Sequence, residues 1–175
     1  MGKKMESVMF TKEEIDEKVS ELAEALSRDY KDKNPLFVCV LKGAVMFFAD
    51  LTRKMNIDLE MDFMVMSSYG NKTESSGVVV VSKDVSVDVK GRHVVFVEDI
   101  VDTGFTAKKL LNLMEGRGAA SVKLACLIDK PLRRQTQIEA DYIGFAVPDV
   151  FVVGNGLDYK QKYRNLPDIC ILKKD

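Results

Sequence analysis

Long apolar runs, a surplus of charge of either sign and ligand-forming clusters are all missing from this sequence. The longest wholly apolar stretches, AVMFFA at residues 44 to 49 and LFVCVL at 36 to 41, have six residues each, far short of the roughly 20 that a membrane-spanning helix needs. The opening MGKKMES has no apolar segment of the secretory kind, and Glu6 stands where a myristoylation signal requires Ser or Thr. Lysine and arginine total 26 against 27 aspartate and glutamate, a net charge of -1, so there is no overall basic field to hold nucleic acid. His93 is the only histidine, and its place just before a strand suits a structural role. The three cysteines, Cys39, Cys126 and Cys170, lie in apolar strand-like runs without metal-ligand spacing, as reduced core thiols of a cytosolic protein do. Without a secretory signal, the sequon Asn71-Lys72-Thr73 reads as coincidence. Gly154-Asn155-Gly156 begins like a dinucleotide fingerprint, but Tyr159 stands where the third glycine is required and the reading fails.

What is present is a chain of 175 residues, 46% hydrophobic and 30% charged, enough for one domain spanning 1–175 with a substantial core. Thr11 and Glu14 form a capping box ahead of the stripe Ile15, Val19, Leu22 and Leu26, which predicts a first helix. LFVCVL after Pro35 is a strand buried on both faces, and residues 43 to 55 carry helical spacing through Ala44, Phe47, Phe48 and Leu51. Ile57, Leu59, Met61, Phe63 and Val65 alternate with Asp58, Glu60 and Asp62, predicting a strand whose acidic face is wet. SSYGNKTESSG, residues 67 to 77, is a loop. VVVVS and HVVFV are strands, residues 106 to 115 are helical, and VKLACLI, YIGFAV, VFVV and ICIL are further strands. This alternation predicts an α/β fold with a mainly parallel twisted sheet flanked by helices. Ligands of such sheets bind beyond the carboxyl ends of the strands, which singles out Lys42-Gly43, Glu98 to Thr106, and Asp129-Lys130.

VVFVEDIVDTGFTA, residues 94 to 107, is the most informative of these. An apolar strand runs into Glu98, Asp99 and Asp102, and carboxylates resist both burial and one another. Thr103, Gly104 and Thr106 at a helix start offer free amides, hydroxyls and the positive end of a helix dipole, a phosphate cradle. Helix capping accounts for one acid or one hydroxyl, but not for Glu98 and Asp99 as well. Two acids at a strand end suit ribose hydroxyls or a hard cation such as Mg²⁺.

Residues 94 to 106 resemble the thirteen-residue phosphoribosyl pyrophosphate signature of the type I phosphoribosyltransferases. The resemblance spans nearly the whole chain and narrows to the hypoxanthine-guanine branch. VCVLKGAVMFFADL, residues 38 to 51, is similar to its pyrophosphate loop, and SSYG, residues 67 to 70, to the start of its mobile loop. DKP, residues 129 to 131, resembles its base-recognition segment, and residues 148 to 172 its purine-binding hood and last strand. The fold this implies adds to the sheet a small hood, mainly residues 148–175 with the N-terminal segment, and a lid at about 68–82.

The resemblance implies purine salvage: Mg²⁺-dependent transfer of phosphoribosyl from phosphoribosyl pyrophosphate to hypoxanthine or guanine, in a cytoplasmic homodimer or homotetramer. It implies that Asp102 exchanges a proton with purine N7, and that Asp102, Thr103, Gly104, Phe105 and Thr106 hold the 5′-phosphate. Phe105 departs from the usual polar or basic residue, leaving its backbone to serve. Glu98 and Asp99 would bind the ribose hydroxyls and the Mg²⁺ shell, and Asp158 would also hold Mg²⁺. Lys42, Gly43, Ser68, Tyr69 and Arg164 would meet pyrophosphate, with a cis Leu41–Lys42 peptide. Ile100, Lys130, Phe151, Val152 and Asp158 would form the purine site, where Lys130, a pure donor, meets the 6-oxo group. A xanthine preference and an RNA-binding regulator on the same fold are the alternatives; the second would want a basic face, which the near-neutral charge does not supply.

Overall fold

The computed structural model describes residues 5–68 and 79–173. Its larger sheet has six strands in the order β4-β3-β2-β5-β6-β7: β2 (Leu36–Leu41), β3 (Glu60–Ser68), β4 (Val79–Lys83), β5 (His93–Val101), β6 (Ser121–Asp129) and β7 (Tyr142–Ala146). All neighbouring pairs are parallel except β3 with the edge strand β4. Helices α1 (Lys12–Asp29) and α2 (Val45–Lys54) lie on one face and α3 (Phe105–Gly116) on the other.

The apolar runs explain this sandwich. Along β2 and β5, Phe37, Cys39, Val95 and Val97 pack with Leu22, Leu26, Phe47 and Leu51 of α1 and α2. The alternate residues Leu36, Val38, Val94 and Phe96 pack with Leu110 and Met114 of α3. A strand buried on both faces has no room for polar residues until its end. The predicted capping box is present, with Glu14 N–H donating to Thr11 Oγ1 at 3.3 Å and Thr11 N–H to Glu14 Oε2 at 2.8 Å.

A second, three-stranded antiparallel sheet, β1-β9-β8, joins opposite ends of the sequence: β1 (Met5–Phe10), β8 (Val152–Val153) and β9 (Ile169–Leu172). Phe10 of β1 stacks on Phe145 of β7 with ring centroids 3.9 Å apart, which attaches this sheet to the larger one.

Three sequence expectations need correction. The alternation in β3 holds, but its faces are exchanged from Met61 onward. Met61 and Phe63 are 57% and 37% exposed, whereas Asp62 is buried. Asp62 goes inside because it accepts from the Phe63 and Ser86 amides at 2.7 and 2.6 Å, with Lys83 Nζ 3.7 Å away. Helix α2 starts at Val45, because Lys42 to Ala44 form the turn that leaves β2. VFVV shrinks to Val152–Val153, and β1 was not foreseen.

Candidate active site

The carboxyl ends of the parallel strands β2, β5 and β6 meet at one edge of the sheet, as the topology rule requires. β2 ends in a turn through Lys42 and Gly43, entered by a cis Leu41–Lys42 peptide. β5 runs into Asp102 to Gly104 and then α3. β6 ends at Asp129, followed by Lys130 and a single 3₁₀ turn, Pro131–Arg133.

Two cavities open here. One, of about 340 Å³, is lined by Lys42, Gly43, Glu98, Thr103, Gly104, Thr106 and Arg164 among others. The second, of about 350 Å³, is lined by Lys130, Arg133, Asp149, Val150, Phe151 and Val152. Asp99, Ile100, Asp102 and Asp158 border both. The structure thus brings together every site residue expected from the sequence within the described segments, with two exceptions. Phe105, the first residue of α3, lines neither cavity, although Thr106 and Ala107 after it line the first. Ser68 is defined by its backbone as the last residue of β3, in register with Val79. Tyr69 and most of the expected lid, residues 69–78, lie outside the described residues.

Glu98 and Asp99 do not act as a matched pair. Neighbouring residues of a strand face opposite ways, and Asp99 follows Val97 onto the α2 side while Glu98 follows Phe96 onto the α3 side. Burial raises the Glu98 carboxyl well above its usual value, and the charge of Asp99 adds to this. Burial also lifts Asp99 to about 6, opposed by the Ile100 amide and the Arg164 charge. Asp99 touches the turn after β2 so closely that a Cβ on Gly43 would lie 1.6 Å from Asp99 Oδ2. Gly156 (φ +95°) in turn has its Cα against the Gly43 carbonyl, where a Cβ would come within 2.0 Å of that oxygen. The Gly154-Asn155-Gly156 segment that failed as a dinucleotide motif is therefore a close-packing device, and it holds the residues around Asp158 against the β2 turn.

At the start of α3 no side chain caps the helix, and Gly104 takes the left-handed conformation, φ +88°. The first-turn amides have no intrahelical acceptor, so they and the helix dipole face the first cavity as an anion-binding end. Across it, Arg164 is fixed by an ion pair with Asp158 at 2.9 Å and by donating to the Gly156 carbonyl at 2.7 Å.

In the second cavity Lys130 is buried, and its Nζ donates to the Val150 carbonyl at 2.6 Å. Leu172 N–H donates to the Phe151 carbonyl at 2.9 Å. Antiparallel alternation then turns the N–H and C=O of Val152 away from β9, on the open edge of that sheet. Phe151, 41% exposed, meets Tyr159 edge-on with centroids 5.8 Å apart, which leaves a ring face for a flat ligand.

Sequence reasoning missed the segment after Lys130. Arg134 donates to the Asp102 carbonyl at 2.9 Å and ion-pairs with buried Asp129. Gln135 N–H donates to the Thr103 carbonyl at 2.9 Å. This segment holds the turn between β5 and α3. The adjacent arginines after DKP, just beyond a strand end, were the available signal.

A buried acidic wall between an anion-binding helix start and a slot with an ammonium group and an aromatic ring suits a ligand with phosphate, sugar and base. Residues 11–160 match the phosphoribosyl transferase domain model, and the chain belongs to that family. Among curated relatives it is 51% identical over 175 residues to the hypoxanthine-guanine phosphoribosyltransferase of Streptococcus thermophilus, covering 100% of this chain and 97% of that protein. It is 50% identical over 169 residues to the same-named protein of Bacillus subtilis, covering 97% and 94% of the two chains. A crystal structure of a hypoxanthine phosphoribosyltransferase from Staphylococcus aureus superposes with a TM-score of 0.93 at 43% identity, over 97% of this chain and 92% of that one.

Proposed function

We propose that the protein transfers the 5-phosphoribosyl group from phosphoribosyl pyrophosphate to hypoxanthine or guanine, giving the nucleotide and pyrophosphate. The observation that carries this reading is the pair of cavities sharing Asp99, Ile100, Asp102 and Asp158, one suited to phosphates and the other to a purine. The two curated relatives matched over nearly their whole length, each a hypoxanthine-guanine phosphoribosyltransferase, support it.

In this reading purine N9 bonds to the anomeric carbon as the bond from that carbon to pyrophosphate breaks, and pyrophosphate leaves with the bonding pair. The sugar passes through an oxocarbenium-like state. The proton on N7 goes to Asp102, which borders both cavities. The α3 amides with Thr103, Gly104 and Thr106 hold the 5′-phosphate, while Phe105 contributes backbone alone. Lys42, Gly43 and Arg164 face the developing charge on pyrophosphate, joined by Ser68 and Tyr69 if the 68–82 segment closes as a lid. Lys130 donates to the 6-oxo group, Phe151 stacks on the ring, and the outward-turned backbone of Val152 reads the purine edge. Residues 148–175 with β1 form the hood.

Among the described residues no three His, Cys, Asp or Glu side chains gather as a metal cage. Mg²⁺ needs no such cage, since it is held by one or two carboxylates, water and substrate phosphates. Asp99 and Asp158 border one cavity, and the charge of Asp158 contributes to raising Asp99, an arrangement that a shared cation would relieve. Asp99 and Asp158 would hold it with water and substrate oxygens, while Glu98, turned to the other face of β5, would act from outside the cation's immediate ligands. When bound, it would withdraw charge from the leaving pyrophosphate.

Among the described residues no helix is long and apolar enough to cross a membrane. The reading carries with it a cytoplasmic enzyme of two or four chains, which sedimentation would test. The deciding experiment is pyrophosphate release with hypoxanthine, guanine and xanthine in turn, with and without Mg²⁺. Turnover with the first two and dependence on Mg²⁺ are expected; no release with any of the three overturns the proposal.

A further inference from the structure

Arg133 stands in the purine cavity beside the group assigned to proton transfer, and nothing in the reaction as described so far uses it. It closes the single 3₁₀ turn Pro131–Arg133 that follows Lys130. Lys130, just ahead of the turn, and Arg133, at its end, both line the purine cavity. Arg133 Nε donates to Asp102 Oδ1 at 2.5 Å. Its Nη1 lies 3.4 Å from both carboxylate oxygens of Asp149, another residue of the cavity wall. Among the described residues the Asp102 carboxylate accepts its hydrogen bond at Oδ1 alone.

We infer that Arg133 is a positioning residue, which fixes the Asp102 carboxylate through one oxygen and leaves the other for the purine proton. The inference rests on the proposed transfer to a purine and deepens it. The 3₁₀ turn then does two things at once: Lys130 meets the 6-oxo group on one side of the purine while Arg133 orients the acceptor for the proton on the five-membered ring. The backbone of the acceptor is held separately by Arg134, through the Asp102 carbonyl at 2.9 Å, so Arg133 acts on the carboxylate alone.

Stability does not explain the contact. The Arg133 and Asp102 side chains are 42% and 38% exposed, and ion pairs this exposed contribute little to folding. A strong, short, charge-assisted bond at such a place has its effect on geometry instead.

The test is steady-state kinetics of Arg133→Gln, Arg133→Lys, Asp102→Asn and the Asp102→Asn/Arg133→Gln double variant, with hypoxanthine and phosphoribosyl pyrophosphate varied separately. Arg133→Gln is expected to lower kcat by about 10- to 100-fold, less than the roughly 10²–10⁴-fold of losing the acid–base group itself, and to leave the KM for phosphoribosyl pyrophosphate within about twofold. Lysine should restore part of kcat. The double variant should be no slower than Asp102→Asn alone, because a residue that acts through another has nothing left to orient.

Wild-type kcat in Arg133→Gln overturns the inference, and so do losses that multiply in the double variant. A lower purine KM with faster turnover also overturns it, since Arg133 would then be an obstruction. If the glutamine variant melts below the assay temperature, Arg133→Lys decides: reduced kcat at an unchanged melting temperature supports the role, and full kcat ends it. A wild-type protein inactive with every 6-oxopurine would defeat the parent reading itself, a different result from an active wild type indifferent to Arg133.

Discussion

Asp102 carries the heaviest chemical assignment, and its removal is the most direct check on it. Asp102→Asn keeps the shape and the bond to Arg133 but cannot take up a proton as a carboxylate does. Turnover should fall by about 10²–10⁴-fold with the fold intact by circular dichroism; unchanged turnover removes the acid–base role. Lys130→Ala tests base recognition. Losing a hydrogen bond from a charged donor is worth about 1.5–3 kcal/mol, so kcat/KM for hypoxanthine should drop by roughly one to two orders of magnitude, read by pyrophosphate release. A loss confined to the KM for phosphoribosyl pyrophosphate would contradict the assignment.

Asp99 gives a pH signature. Its carboxyl titrates at about 6 in the folded protein against 3.8 ordinarily, so the native state binds this proton more tightly than the unfolded chain. Its contribution makes stability fall as pH rises through that window, and the loss persists above it. In the presence of a chelator, Asp99→Asn should therefore be more stable than the wild type at pH 7.5, by about 1–3 kcal/mol. The two should converge only below about pH 3.8, where the carboxyl is protonated in both states, as urea denaturation would show. Equal stability at pH 7.5 would mean that burial of this charge costs nothing.

At the scale of elements, the contact between the β2 turn and the segment after β8 is the sharpest constraint. A methyl group at Gly156 would come within 2.0 Å of the Gly43 carbonyl, so Gly156→Ala must push the two turns apart. Displacements of about 1 Å can cost on the order of 10²-fold in rate, and a comparable fall in kcat/KM is expected. Asp62 illustrates a different constraint. Replacing it with alanine leaves the Ser86 amide without its acceptor at 2.6 Å, and should cost about 1–3 kcal/mol by denaturant titration.

These elements also show what could be read in advance. β2, β5 and β6 were legible because strands covered on both faces leave no room for polar residues, and their acidic or basic ends stood out against the apolar runs. The facing of β3 was not legible, because alternation fixes which residues share a face but not which face a partner covers; Ser86 and Lys83 decide that from another loop. β1 escaped because MESVMF has no clean period and is stabilised by β9 from the far end of the sequence. Arg133 and Arg134 escaped because the connection between β6 and β7 is irregular, and its contacts with Asp102 span about thirty positions.

For the molecule as a whole, the wall shared by the two cavities would put both halves of a nucleotide against one set of carboxylates. A ligand filling both cavities gains the contacts of each while losing its freedom only once. Inosine monophosphate should therefore bind at least 10²-fold more tightly than hypoxanthine or ribose 5-phosphate alone, by isothermal titration calorimetry. Comparable affinities would mean that the cavities act as separate sites.

Because the strand assigned to reading the purine edge is anchored, through β9, to β1, fidelity toward the nucleobase should depend on a part of the chain that lines neither cavity. A fusion or deletion that disturbs residues 5–10 would blur discrimination among bases while the grip on the sugar phosphate, built on the other sheet, survived.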